Sequence, residues 1–195
     1  MSRQKLYSIL GISFAYAIIR YHIFSDVPWS HFPLFIFNKA ISMAGLVFLG
    51  LALIQSEKRD RKALGQWGAA LIGIHILISL IILNEHYFEK FFVGPGEMTF
   101  QAEVSMIAGI IGTIFMCALL LTSNRGNGNA NPSSLSLRIG WGRAILVLAA
   151  IHLAFMGYTS WLTPSKWYGY LPPITLISFL VALVFLVRRR KSSKE

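Results

Sequence analysis

Six apolar blocks, at about 6–24, 34–54, 64–83, 104–121, 139–161 and 173–187, follow one another along this 195-residue chain. Each is near the roughly 20 residues that a helix needs to cross the hydrocarbon of a bilayer. Backbone groups left unpaired in hydrocarbon are costly, so segments of this kind cross as helices. The expected fold is therefore an all-α integral membrane protein, a six-transmembrane helix bundle in one domain, with a basic tail over 188–195. Only 13% of the residues are charged, about half the share usual in soluble domains. The one cysteine, Cys117, lies inside an apolar block, which excludes a disulfide framework and cysteine-based zinc or iron–sulfur sites. Neither GxGxxG nor GxxxxGK[ST] is present, so a self-sufficient nicotinamide-dependent enzyme is not expected.

The formal net charge of +10 would suggest nucleic acid in a soluble protein, but its distribution is that of a topology signal. Arg3, Lys5, Lys58, Arg59, Arg61, Lys62, Arg125, Arg138 and the cluster 188–191 all fall on one side if six spans alternate. The opposite side holds Asp26, Glu85, Glu89, Glu97 and Glu103, with Lys90 and Lys166 between spans. Basic loops stay in the cytoplasm. Both termini are thus expected to be cytoplasmic, in the inner (cytoplasmic) membrane, with lipid and not nucleic acid as the partner. The Gly-, Asn- and Ser-rich stretch 124–134 reads as a linker, and 84–103 as the longest outer segment.

Two histidines lie within the blocks: His75 in the third and His152 in the fifth. His75 precedes Asn84 by nine residues and His152 precedes Trp161 by nine, so each sits roughly 14 Å below the outer end of its helix. Both helices cross in the same direction, which lets the imidazoles face each other at one level. Ionisable side chains at such depth point to function. Two depth-matched imidazoles are what a six-coordinate haem b takes as axial ligands, and Gly73, Ala149, Ala150 and Gly157 would let a flat ring approach the backbone. The competing account is that each histidine hydrogen-bonds a neighbouring helix and binds nothing. Met43, Met106, Met116 and Met156 admit a His/Met alternative, against ordinary packing.

Around these histidines the sequence resembles the STEAP (six-transmembrane epithelial antigen of the prostate) family. The resemblance rests on Arg61-Lys-Ala-Leu-Gly65 followed by His75 and Ser79, and on Ser136-Leu-Arg138, Ala149-Ala-Ile-His152, Gly157, Trp161 and Trp167-Tyr-Gly-Tyr-Leu-Pro-Pro173. It covers roughly residues 57–187 and extends to the wider ferric reductase-like transmembrane superfamily. It implies a transmembrane b-type cytochrome that passes electrons from a cytoplasmic-side flavin through haem to an outer acceptor such as a metal ion or dioxygen. His75 and His152 match the axial ligands of that family. This sequence carries no NADPH- and flavin-binding domain, so the donor is expected to be a separate reductase, a free flavin (FAD or FMN) or a quinol. A second ligand pair is missing, since His86 follows His75 by only 11 residues at the water interface. One haem is expected.

On the inner side Arg61, Lys62, Gln66, Arg138, Trp141 and Arg143 are candidate flavin contacts, because guanidinium groups hold phosphate and an indole stacks on a flavin ring. Topology anchors and belt aromatics account for the same residues. On the outer side His86, Lys90 and Lys166 are candidates for an acceptor site, for an anionic metal chelate or a partner protein, against a solvated loop. Arg20, near the outer end of the first span, either snorkels to the interface or pairs with a haem propionate. The expected function is outer-sphere electron transfer, either free-standing or as the haem subunit of a larger oxidoreductase; an oligomer is compatible with both. The alternative is a haem-free permease or an assembly subunit of a membrane complex.

Overall fold

A computed structural model describes residues 3–125 and 132–188 of the chain. The middle of the expected linker and most of the basic tail lie outside these residues. Seven α-helices follow in order: α1 (Arg3–Ile18), α2 (Phe37–Ile54), α3 (Lys58–Ile82), the short α4 (Glu85–Phe88), α5 (Phe100–Arg125), α6 (Pro132–Trp161) and α7 (Ile174–Val187). Six helical segments are long and apolar enough to cross a membrane: Arg3–Ile23, Trp29–Ile54, Lys58–Ile82, Phe100–Thr122, Leu137–Trp161 and Tyr168–Val187. The chain is a multi-pass helical membrane protein. Its spans begin up to six residues before the apolar blocks, as at Lys58 against residue 64, because a helix continues through a charged first turn that hydropathy does not register.

Below, the terminal face is the one where α1 begins and α7 ends, and the loop face is the opposite one. α2 is the hub: it packs on α1, α3, α6 and α7, while α5 packs on α6 and α6 on α7. Its span is 56% buried against 17% for those of α3, α5 and α6. Those three turn broad apolar stripes outward, Ile74, Leu77 and Ile81 on α3 and Ile107, Ile110 and Ile114 on α5 among them, as lipid-facing helices do. Four clusters fill the interior. Ala17, Tyr21, Ile36, Ala40 and Ile174 join α1, α2 and α7 toward the loop face. Leu46, Leu146, Ala182 and Phe185 join α2, α6 and α7. Leu6, Phe48 and Leu64 join α1, α2 and α3, and Ala69, Met116 and Ile145 join α3, α5 and α6. Small residues allow the tightest approach. A side chain at Gly68 on α3 would lie 3.0 Å from the Leu49 backbone nitrogen of α2, so anything larger forces these helices apart.

Two irregularities shape the loop face. α1 ends in a wide π turn, Ile19–Ile23, and α2 is preceded by another, Phe32–Ile36. Such turns insert one extra residue into a helix and often mark functional positions. Between α4 and α5 the chain forms a small antiparallel hairpin, β1 (Phe92–Gly94) and β2 (Glu97–Met98), turning at Gly96 with φ +79°, a value that glycine adopts without strain. Phe91 is buried beneath it. Pro172 and Pro173 lead into α7, and Trp161 Nε1 donates to Thr175 Oγ1 at 3.0 Å, tying the end of α6 to the start of α7.

Candidate functional site: a paired-histidine centre

His75 on α3 and His152 on α6 are each fixed through Nδ1. His75 Nδ1 donates to Asn38 Oδ1 of α2 at 2.8 Å, and the amide nitrogen of Asn38 donates to Ser79 Oγ, one turn further along α3, at 2.9 Å. Asn38 is buried, so one amide in the hub helix meets both a donor and an acceptor on α3. His152 Nδ1 donates to the main-chain carbonyl of Ser105 on α5 at 2.8 Å. The Ser105 hydroxyl lies 3.0 Å from the same nitrogen and donates to the His152 carbonyl. Gly109, one turn on from Ser105, leaves room for the ring: a side chain there would stand 3.3 Å from His152 Nδ1.

An imidazole that donates from Nδ1 carries its lone pair on Nε2. Neither Nε2 has a hydrogen-bond partner among the described residues, and neither is fully enclosed as the buried unpaired Arg20 Nε and His22 Nε2 are. The rings are half-buried. They are carried by helices that do not pack closely backbone to backbone. The arrangement is two imidazoles, on α3 and α6, each oriented by an oxygen acceptor with its Nε2 unengaged. That is the donor set and outer-shell support typical of bis-imidazole ligation of a metal centre, and the residues present fit a haem. No group of three or more His, Cys, Asp or Glu that could hold a bare metal ion occurs among the described residues.

The inner-side candidates are distributed along the terminal face. Arg61 Nη1 donates to the carbonyls of Gln55 and Ser56 at 3.4 Å, at the end of α2. Arg138 Nη2 donates to the Thr122 carbonyl of α5 at 3.1 Å, and Trp141 meets Phe115 edge-on at 6.0 Å. Lys62, Gln66 and Arg143 are exposed. A cleft of about 470 Å³ opens on this face between α1 and α3, lined by Arg3, Tyr7, Arg59, Asp60 and Trp67 among others; none of the six candidates lines it.

On the loop face His86 stands 5.4 Å from His31, ring to ring, and edge-on to Tyr87. Lys90 reaches α6, where its Nζ donates to the Met156 carbonyl at 2.7 Å; enclosure of its ammonium end pushes the group down to about 8. Lys166, in a 3-10 turn, is exposed. Arg20 does not snorkel. It is buried, its Nη1 donates to the Leu171 carbonyl and its Nε has no partner. Asn38 and Ser105 are the residues that sequence reasoning missed; the signal that marks them is an uncharged polar side chain near the start of an apolar block. No protein-family model matches the chain, and no curated protein sequence matches it significantly.

Proposed function

We propose that this chain is a transmembrane b-type cytochrome of the ferric reductase-like kind, with one haem held by His75 and His152. It would accept electrons from a cytoplasmic-side flavin or quinol donor and deliver them to an acceptor on the loop side, a metal ion, dioxygen or a partner protein. The reading takes the termini as cytoplasmic and the inner membrane as the location, from the basic bias of the terminal face. The observation that carries it is the matched pair of imidazoles, each with Nδ1 committed to an oxygen and Nε2 free.

Haem b, when bound, supplies a one-electron Fe(III)/Fe(II) couple. This chain's own residues do the rest. Asn38 and the Ser105 carbonyl hold the rings in one tautomer and increase the basicity of Nε2. Ala69, Ile72 and Ile145 form apolar packing on the terminal side of that level, which would keep water away from an outer-sphere centre. No carboxylate lies inside any of the six apolar blocks, which weakens a proton-pump reading.

The test is an ultraviolet–visible spectrum of the detergent-purified chain, oxidised and dithionite-reduced, with haem quantified per polypeptide. One low-spin haem with a sharp reduced α-band is the expected result. Absence of a Soret band after expression with added haem would refute the reading.

A further inference from the structure

The loop-side half of the bundle holds two cations that the histidine pair leaves unexplained. Arg20, in the π turn ending α1, is 4% exposed, and its Nε is buried without a partner. Its guanidinium lies 5.4 Å from the Tyr21 ring centroid and 5.3 Å from that of Tyr168, beneath the loop that leads into α7. Lys39 on α2 stands over the same Tyr21 ring at 5.1 Å and over Phe35 at 4.3 Å. It has no hydrogen bond or ion pair through its ammonium among the described residues. The two charges therefore flank one ring, with no carboxylate beside them.

Aromatic faces stabilise a desolvated cation only in part. A buried charge such as Arg20 otherwise occurs paired, and half-buried Lys39 beside it adds a second positive charge where a negative one is called for. An orphan guanidinium nitrogen and an unpaired ammonium at one depth are the complement of an anion. Their position identifies which one. Lys39 follows Asn38, whose side chain orients His75, and Arg20 is itself buried within the bundle. The anion thus approaches from the histidine centre, within the bundle, and not from the lipid.

We infer that Arg20 and Lys39 form a carboxylate-binding site, and that the carboxylates it takes are the propionates of the porphyrin held between His75 and His152. This rests on the haem reading. The proposal fixes the orientation of the porphyrin, with its charged edge toward the loop face, and gives both cations a counter-charge.

The test titrates apo-protein from a haem-deficient host with haemin and with haemin dimethyl ester, whose carboxylates are masked, following the Soret band. Wild type should prefer haemin by about tenfold or more, the scale of a charge-assisted hydrogen bond. Lys39→Met should bring the two affinities together by weakening haemin alone. Arg20→Gln should act in the same direction, with ester affinity as the internal check that the fold persists. Wild type that binds neither porphyrin overturns the haem reading and this inference with it. Wild type that binds both equally, a Lys39→Met protein that keeps the full preference, or one that loses both porphyrins alike overturns this inference and leaves the haem reading standing. Loss of affinity for a small added carboxylate, with porphyrin preference intact, assigns the site to a separate anion and likewise overturns it.

Discussion

Asn38→Leu is the substitution that separates the two histidines most cleanly. Asn38 is 3% exposed and makes two contacts to α3, at 2.8 Å to His75 and 2.9 Å to Ser79. Hydrogen bonds between membrane helices contribute on average about 0.6 and at most about 1.7 kcal/mol each, so losing both should cost about 1–3 kcal/mol of stability. His75 is then left with the Ser79 hydroxyl at 3.4 Å, a weak and poorly placed acceptor that no longer fixes the ring. Loss of such outer-shell support typically lowers metal-centre affinity about 10–100-fold. Ser105→Ala is the matched control. His152 Nδ1 keeps the Ser105 main-chain carbonyl at 2.8 Å, which no side-chain change removes, so affinity should stay within about threefold, less than one neutral hydrogen bond. Haem titration of the two apo-variants, alongside thermal unfolding in the same detergent, gives both quantities. An Asn38→Leu protein with haem affinity within threefold of wild type, or a Ser105→Ala protein impaired to the same degree, would refute the reasoning.

Three further outcomes are expected. His75→Ala and His152→Ala should each abolish haem retention on purification while His86→Ala retains it; stoichiometric haem in both inner variants would rule out the ligand assignment. Gly109→Val should weaken haem binding by about tenfold or more by pressing on His152, whereas Gly112→Ala, whose new methyl meets Leu148 at an ordinary 3.5 Å, should not; equal behaviour in Soret titrations would show that the clearance is irrelevant. Lys90 should give the fold a pH dependence. Burial, and then the charge of Lys39, lower its folded value to about 8, and the unfolded chain keeps the ordinary value near 10.4. The unfolded state thus binds more protons across that window, and stability is lowest below about pH 8 and rises toward about pH 10. Unfolding midpoints measured at about pH 7 and about pH 9.5 should rise for wild type relative to Lys90→Met; a constant gap would remove the effect.

The spans, and the depth of each histidine within its span, were legible in the sequence for simple reasons. Hydropathy marks hydrocarbon directly, and helical rise converts a residue count into depth. What supports the histidines was not legible. Asn38 lies 37 residues before His75 and Ser105 lies 47 before His152, and no local pattern sets the register in which α2 meets α3 or α5 meets α6. That register depends on close approaches such as Gly68 against Leu49. Arg20 was misjudged in one respect for the same kind of reason. A cation near the end of an apolar block is expected to reach for water, but the loop from Trp167 to Pro173 folds over it, and Tyr16 secures that loop through a 2.5 Å hydrogen bond to the Pro172 carbonyl.

The wide turns at Ile19–Ile23 and Phe32–Ile36 make the lengths of the first two helices a matter of phase. An α-helix advances about 100° per residue, and a π turn absorbs one surplus residue without breaking the rod. Deleting a single apolar residue from the regular part of α1, ahead of the first turn, would leave a segment that still reads as a sound membrane span. It would nevertheless rotate everything on one side of the deletion by more than a quarter of a circle, carrying Arg20 from beneath Leu171 toward the acyl chains. For this bundle a one-residue length change in either helix is a rotation of the buried charges, and alignments or designs that score these helices by hydropathy alone would pass over it.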